Sequence, residues 1–151
     1  MKHVYEATYA QLDEVIKVIN QYWDKRSENT MIKEEIKSRS YWEGVHRKGR
    51  VIIYKVDNNE VEGVISLFKE GKQVKIDVFF IVPPLKEQGI EYKMLRIAER
   101  IAVNWSAEQI SWLFSGKEEI EKEFPVFEKL GYILHCPINQ KGFVLLEKKV
   151  V

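Results

Sequence analysis

The segment Ile81-Val82-Pro83-Pro84-Leu85-Lys86-Glu87-Gln88-Gly89-Ile90-Glu91 is where residue order points most directly to chemistry. An apolar strand candidate stops at two prolines, a short polar loop follows, and a glycine stands where a long amphipathic run begins. The first turn of a helix carries N–H groups without intrahelical acceptors and the positive end of the backbone dipole, so such a joint suits a phosphate. Gly89 would let the backbone approach that ligand closely. A strand-loop-helix joint with one glycine also serves as a plain tight turn, so the joint alone does not decide.

The other reactive side chains form no second site. His3, His46 and His135 are scattered, and their spacing suggests no zinc or other metal. Cys136 reads as a small buried thiol, because nothing in the sequence supplies it with a base. Positive charge clusters only at His46-Arg47-Lys48-Gly49-Arg50. That run is either a basic lip for an acidic ligand or a solvated helix end, where cations are favoured in any case.

The elements that must hold these residues follow from periodicity. Val4 to Thr8 is a short strand, and Leu12, Val15, Ile16, Ile19, Tyr22 and Trp23 recur at helical spacing. A second helix is expected from Met31 to about His46, where Ile32, Ile36 and Tyr41 recur among Lys and Glu, ending near Gly49. Val51–Val56, Val61–Phe68 and Gln73–Val82 then read as an antiparallel meander, stopped by the two prolines. In the last of these, alternation places Ile76, Val78 and Phe80 on one face and Asp77, Phe79 and Ile81 on the other.

Ile90, Met94, Ile97, Ala98, Ile101 and Trp105 make one helical stripe. Ile110–Phe114 is a strand, and Pro125 marks a kink or a helix start before Leu130-Gly131. Tyr132–His135 and Phe143–Leu146 close the chain as strands, the latter a candidate apolar edge for pairing between subunits. The order β-α-α-β-β-β-α-β-α-β-β is a mixed α/β pattern.

Composition bounds the partners. The 151 residues suit one domain, 1–151, and no repeat or linker divides them. Twenty-four Lys+Arg against 23 Asp+Glu leave a net charge of +1, which argues against general attraction to nucleic acid or an acidic membrane. One cysteine permits no internal disulfide, and no apolar run approaches the ~20 residues of a membrane span. A cytoplasmic protein, monomer or homodimer, is the expectation.

At Ile81 to Glu91 the chain resembles the GNAT superfamily of N-acyltransferases, whose acyl-CoA motif has an aliphatic residue, a Pro two positions on, then Arg/Gln-x-x-Gly-x-Gly/Ala. Ile81, Pro83, Gly89 and Ile90 match in register, and Met94-Leu95 continue the pattern. Phe127-Glu128-Lys129-Leu130-Gly131-Tyr132 is similar to that family's Tyr-Glu-Lys-x-Gly-Phe segment, and the element order agrees along essentially the whole chain. The departures are Lys86 for Arg/Gln, Glu91 for the last Gly/Ala, Phe127 for the tyrosine that usually protonates the leaving thiolate, and a missing Asn after the fifth strand.

The resemblance implies a mixed, mostly antiparallel sheet splayed at strands 4 and 5, flanked by about four helices. It implies acetyl-CoA as cosubstrate and transfer of its acetyl group to a primary amine of a small molecule or peptide. The pantetheine arm would pair with backbone groups of Phe79-Phe80-Ile81. The diphosphate would meet Lys86 and the amides from Gln88 through Gly89, Ile90 and Glu91 to Tyr92. Asp77, on the fourth strand, becomes the candidate base; Tyr132, Tyr92 or a water is left as the acid. The first two helices would border the acceptor cleft, with Trp23 in the core and Trp42 in either place. Glu91, Phe127 and the missing Asn leave a second possibility: a GNAT-fold domain that senses acyl-CoA or binds a protein without turnover.

Overall fold

The computed structural model describes residues 3–22, 35–82, 85, 89–115, 124–135 and 143–150. Their backbone forms one seven-stranded sheet in the order β1-β2-β3-β4-β5-β7-β6. The strands are β1 (Val4–Glu6), β2 (Arg50–Lys55), β3 (Val61–Glu70), β4 (Gln73–Ile81), β5 (Gln109–Ser115), β6 (Ile133–His135) and β7 (Phe143–Lys149). Every neighbouring pair is antiparallel except β4 with β5, which α3 (Ile90–Asn104) connects as a crossover. β7 lies between β5 and β6, so Phe143–Leu146 is an inner strand and not the edge its apolar sequence suggested; the edge on that side is β6.

Two apolar layers cover the sheet. On one face α1 (Leu12–Tyr22) and α2 (Arg39–Lys48) bury Leu12, Val15, Ile19, Trp42 and Val45 against Ile53, Val64, Val78 and Phe80. On the other, α3 buries Met94, Leu95, Ala98 and Ala102 against Ile65, Leu67, Ile76, Phe79 and Ile81. A fourth helix, α4 (124–129), adds Phe127 to that layer. Side chains such as Leu12, Ile19 and Leu95, withdrawn completely from water, each contribute about 1.5–3 kcal/mol of burial. Trp42 belongs to the core, and its indole N–H donates to the Ile36 carbonyl at 2.6 Å.

Local chemistry explains where the helices begin. The second helix does not run unbroken from Met31: 31–34 lie outside the described residues, a 3₁₀ turn occupies Glu35–Lys37, and α2 starts after Ser38. Ser38 caps it, its hydroxyl accepting from the Tyr41 amide at 3.2 Å, an arrangement that satisfies one donor of the first turn. Pro125 stands near the start of α4 and not in its interior, where its missing N–H costs nothing.

Alternation in β4 is broken, and the expected faces are corrected accordingly. Ser66 pairs with Val78 while Leu67 pairs with Ile76, leaving Asp77 as an extra residue opposite β3. Such a β-bulge resets the in-out pattern. Ile76 therefore shares its layer with Phe79 and Ile81, whereas Val78 and Phe80 face α1 and α2.

Gly49, between α2 and β2, passes so close to β3 that a Cβ there would sit 2.0 Å from the Leu67 carbonyl oxygen. Replacement Gly49→Ala must displace β3 backbone, and a loss of about 1–3 kcal/mol is expected from urea unfolding.

Candidate active site at the fork between β4 and β5

The parallel ladder between β4 and β5 runs from Gln73↔Gln109 to Ile76↔Trp112 and stops there. Each strand keeps its other neighbour much farther along: β4 pairs with β3 as far as Ile81↔Gly63, and β5 with β7 as far as Ser115↔Phe143. The two strands thus part after Ile76 and Trp112 while both remain tied into the sheet. The bulge residue Asp77 is the first residue of β4 beyond the last shared rung. A bulge bends its strand and increases the local twist, so the departure from β5 begins where β4 carries its additional residue.

Phe79, Phe80 and Ile81 lie along the edge of β4 that β5 has left. Backbone groups on such an edge can pair with an extended ligand as they would with another strand. Where the strands part, aromatic rings pack together. Phe127, fully buried, has its ring centre 5.9 Å from Phe79, 5.4 Å from Trp112 and 5.0 Å from Tyr132.

Asp77 is half-buried and turned toward α2, on the side of Val78 and not on that of Phe79 and Ile81 as alternation had placed it. Its Oδ2 accepts a hydrogen bond from the Tyr41 hydroxyl. The same hydroxyl lies 2.9 Å from Ser66 Oγ, which accepts the Val78 amide at 2.9 Å. Ser66 is fully buried. Tyr41 and Ser66 were not singled out as functional from the sequence; the available signal was a lone hydroxyl inside the apolar run Val64-Ile65-Ser66-Leu67-Phe68.

Gly89 forms the N-cap of α3 with φ 82°, ψ 2°, a left-handed conformation that favours glycine, and supplies no side-chain cap. The amides of Ile90, Glu91 and Tyr92 open the helix. Ile90 is buried and Tyr92 half-buried. Glu91 is only 5% exposed, so its carboxylate is drawn into the protein, where the helix dipole favours negative charge. Lys93 and Arg96 are exposed. Lys86 and Gln88, like Pro83, Pro84, Glu87, Trp23 and Cys136, lie outside the described residues. Among the described residues no group of three His, Cys, Asp or Glu side chains is placed to hold a metal, and no helix is long and apolar enough to cross a membrane.

No protein-family model matches the chain, and no curated protein matches it. Solved structures do. The PaiA N-acetyltransferase from Thermoplasma acidophilum, in complex with coenzyme A, superposes with a TM-score of 0.77 at 14% identity over 97% of both chains. The GNAT domain of S. lividans PAT gives 0.77 at 13% identity over 97% of this chain and 89% of that one. Ard1 from Thermoplasma volcanium gives 0.71 at 11% identity over 98% and 97%. The chain has the GNAT fold.

Within this GNAT fold, the position resembling the family's acidic tyrosine is Phe127, a ring with no proton to give. Tyr132 is 3% exposed and is directed into the protein beside Glu99 of α3, with Lys148 of β7 5.8 Å from its ring centre. Lys148 Nζ in turn donates to Glu99 at 2.9 Å. Burial, and then the Glu99 charge, raise the pKa of the Tyr132 hydroxyl above its ordinary value of 10.0. A phenol so placed holds its proton more tightly than a free one. Arg50 pairs with Glu6 at 2.8 Å and stacks 5.0 Å from the centre of the Trp105 ring, while His46, Arg47 and Lys48 are exposed at the end of α2.

Two outcomes follow for stability. Ser66→Ala leaves the buried Val78 amide without its acceptor, and a loss of about 1–3 kcal/mol is expected by chemical denaturation. The folded state favours neutral Tyr132, a contribution present below the unfolded pKa of 10.0 and lost as pH rises above it. Unfolding curves above pH 10 should therefore fall less steeply for Tyr132→Phe than for the parent protein.

Proposed function

We propose that this protein is an N-acyltransferase that moves an acetyl group from acetyl-CoA to a primary amine of a small molecule or peptide. The observation that carries the reading is the parting of β4 from β5 after Ile76 and Trp112. It leaves a strand edge suited to the two amide groups of a pantetheine arm, with Phe79, Phe80 and Ile81 as the pairing residues. The amides opening α3, from Gln88 through Gly89, Ile90, Glu91 and Tyr92, together with Lys86, would meet the diphosphate. Backbone groups do most of this work, which is why side chains there can drift.

The reaction is direct attack. The amine nitrogen forms a bond to the thioester carbonyl carbon, the carbon–sulfur bond breaks, and the nitrogen gives up a proton. Asp77, at the fork and on the α1–α2 side where the acceptor would enter, takes that proton. The electron pair of the broken bond leaves on sulfur. Because thiols have pKa values near ~8.5, the thiolate can depart and collect a proton from water, so neither Phe127 nor the tightly held proton of Tyr132 is required. We place the reaction in the cytoplasm, where the single cysteine would stay reduced.

Phe127 in place of an acid favours one alternative, a GNAT-fold domain that binds acyl-CoA without turnover. Coenzyme A at about 100 times its dissociation constant adds ~2.7 kcal/mol, which for a chain of this length raises Tm by about 5–10 °C. No shift at millimolar coenzyme A would overturn both readings. Given a shift, thiol release from acetyl-CoA across an amine panel separates them, and Asp77→Asn should lower that release about 10²–10⁴-fold while leaving the thermal shift in place.

A further inference from the structure

We infer that Tyr41 and Ser66 are positioning residues for Asp77: they form a hydrogen-bond chain of fixed direction, from the β4 backbone through two hydroxyls to the carboxylate. The inference rests on Asp77 being the base proposed above. It adds how that base is oriented, and by which side chains.

The direction follows from counting protons. The Val78 N–H donates to Ser66 Oγ, so that oxygen is an acceptor at this contact. Tyr41 has one hydroxyl proton, and it goes to Asp77 Oδ2. At the 2.9 Å contact between Tyr41 and Ser66, the serine must then be the donor. The chain therefore reads Val78 N–H to Ser66, Ser66 O–H to Tyr41, Tyr41 O–H to Asp77, each step aimed at the negative end. Its last bond ends on a carboxylate oxygen, and with that group ionised it is the strongest kind available to neutral donors.

Geometry gives the chain a purpose. Asp77 is the extra residue of the bulge, skipped in the register between β3 and β4. The Ser66 hydroxyl accepts the amide next to the bulge and, through Tyr41, holds the carboxylate that the bulge presents. One buried side chain from β3, Ser66, and one half-buried side chain from α2, Tyr41, thus connect the amide beside the bulge to the carboxylate. Tyr41 touches Asp77 at Oδ2, which ties that oxygen to α2.

Two measurements test this. In the proton NMR spectrum, the Tyr41 hydroxyl proton should appear far downfield, vanish in Tyr41→Phe and move in Asp77→Asn. No such resonance, or one indifferent to Asp77→Asn, overturns the chain. For turnover, Tyr41→Phe should lower kcat for thiol release about 10–100-fold with KM for acetyl-CoA and the coenzyme A thermal shift unchanged. The same substitution made in Asp77→Asn should cause no further loss, because an interaction that acts through one group disappears with it. Additive losses in the double variant, or no loss in the single one, overturn the positioning role. Absence of thiol release in the parent protein overturns the acyltransfer reading and the base with it, and the resonance alone then decides whether the chain exists.

Discussion

One additional residue in β4 organises the site. Against β3, Asp77 has no opposite number; against β5, it is the first residue with no rung. The bulge thereby serves two ends. It turns β4 away from β5, exposing backbone polar groups that a regular sheet would have consumed, and it swings a carboxylate to the α1–α2 side of the sheet. The backbone amide beside it finds an acceptor in the Ser66 hydroxyl, so the irregularity leaves no buried donor stranded at that point. A central strand rich in valine, isoleucine and phenylalanine gives the bulge rigid walls: Val78 and Phe80 are held by α1 and α2, Phe79 and Ile81 by the layer of α3.

Much of the architecture was legible because each element is locally consistent. The amphipathic stripes of α1 and α3, the end of β4 at Ile81 and the β-branched run of β2 all agree with the structure to within a residue or two. The splay was not legible from periodicity. It came from the resemblance of Ile81–Glu91 and Phe127–Tyr132 to GNAT motifs, since nothing in the composition of β4 or β5 says where a ladder stops. The edge strand was misassigned for a similar reason: apolar Phe143–Leu146 looks the same whether it is an outer strand or, as here, one flanked on both sides.

The site itself was only partly readable. Asp77 was chosen by strand and position, but its side was wrong, because alternation assumes an unbroken ladder and the bulge shifts the phase by one residue. Tyr41 looked like one more apolar member of a helical stripe. Its hydroxyl meets Ser66 and Asp77, residues 25 and 36 positions away in sequence; such a meeting is a property of the tertiary fold. Glu91 looked like a charge set against the ligand site, and burial of its side chain changes that picture, since residue type says nothing about which way a carboxylate is drawn.

The joint between the two halves of the sheet is short. β1 to β4 form one slab and β5 to β7 another, and the strand ladder between them has four rungs, closed at its base by a side-chain bond of 2.9 Å from Gln73 to Gln109. Above those rungs the slabs meet through side-chain rings and not through backbone hydrogen bonds to one another. Phe79 from one slab and Trp112 from the other are in ring contact at 5.7 Å, and Phe127 lies against both, at 5.9 and 5.4 Å, as the third corner of a triangle. Contact of that kind is non-directional, so at this part of the joint the two slabs are held by apolar area and not by register.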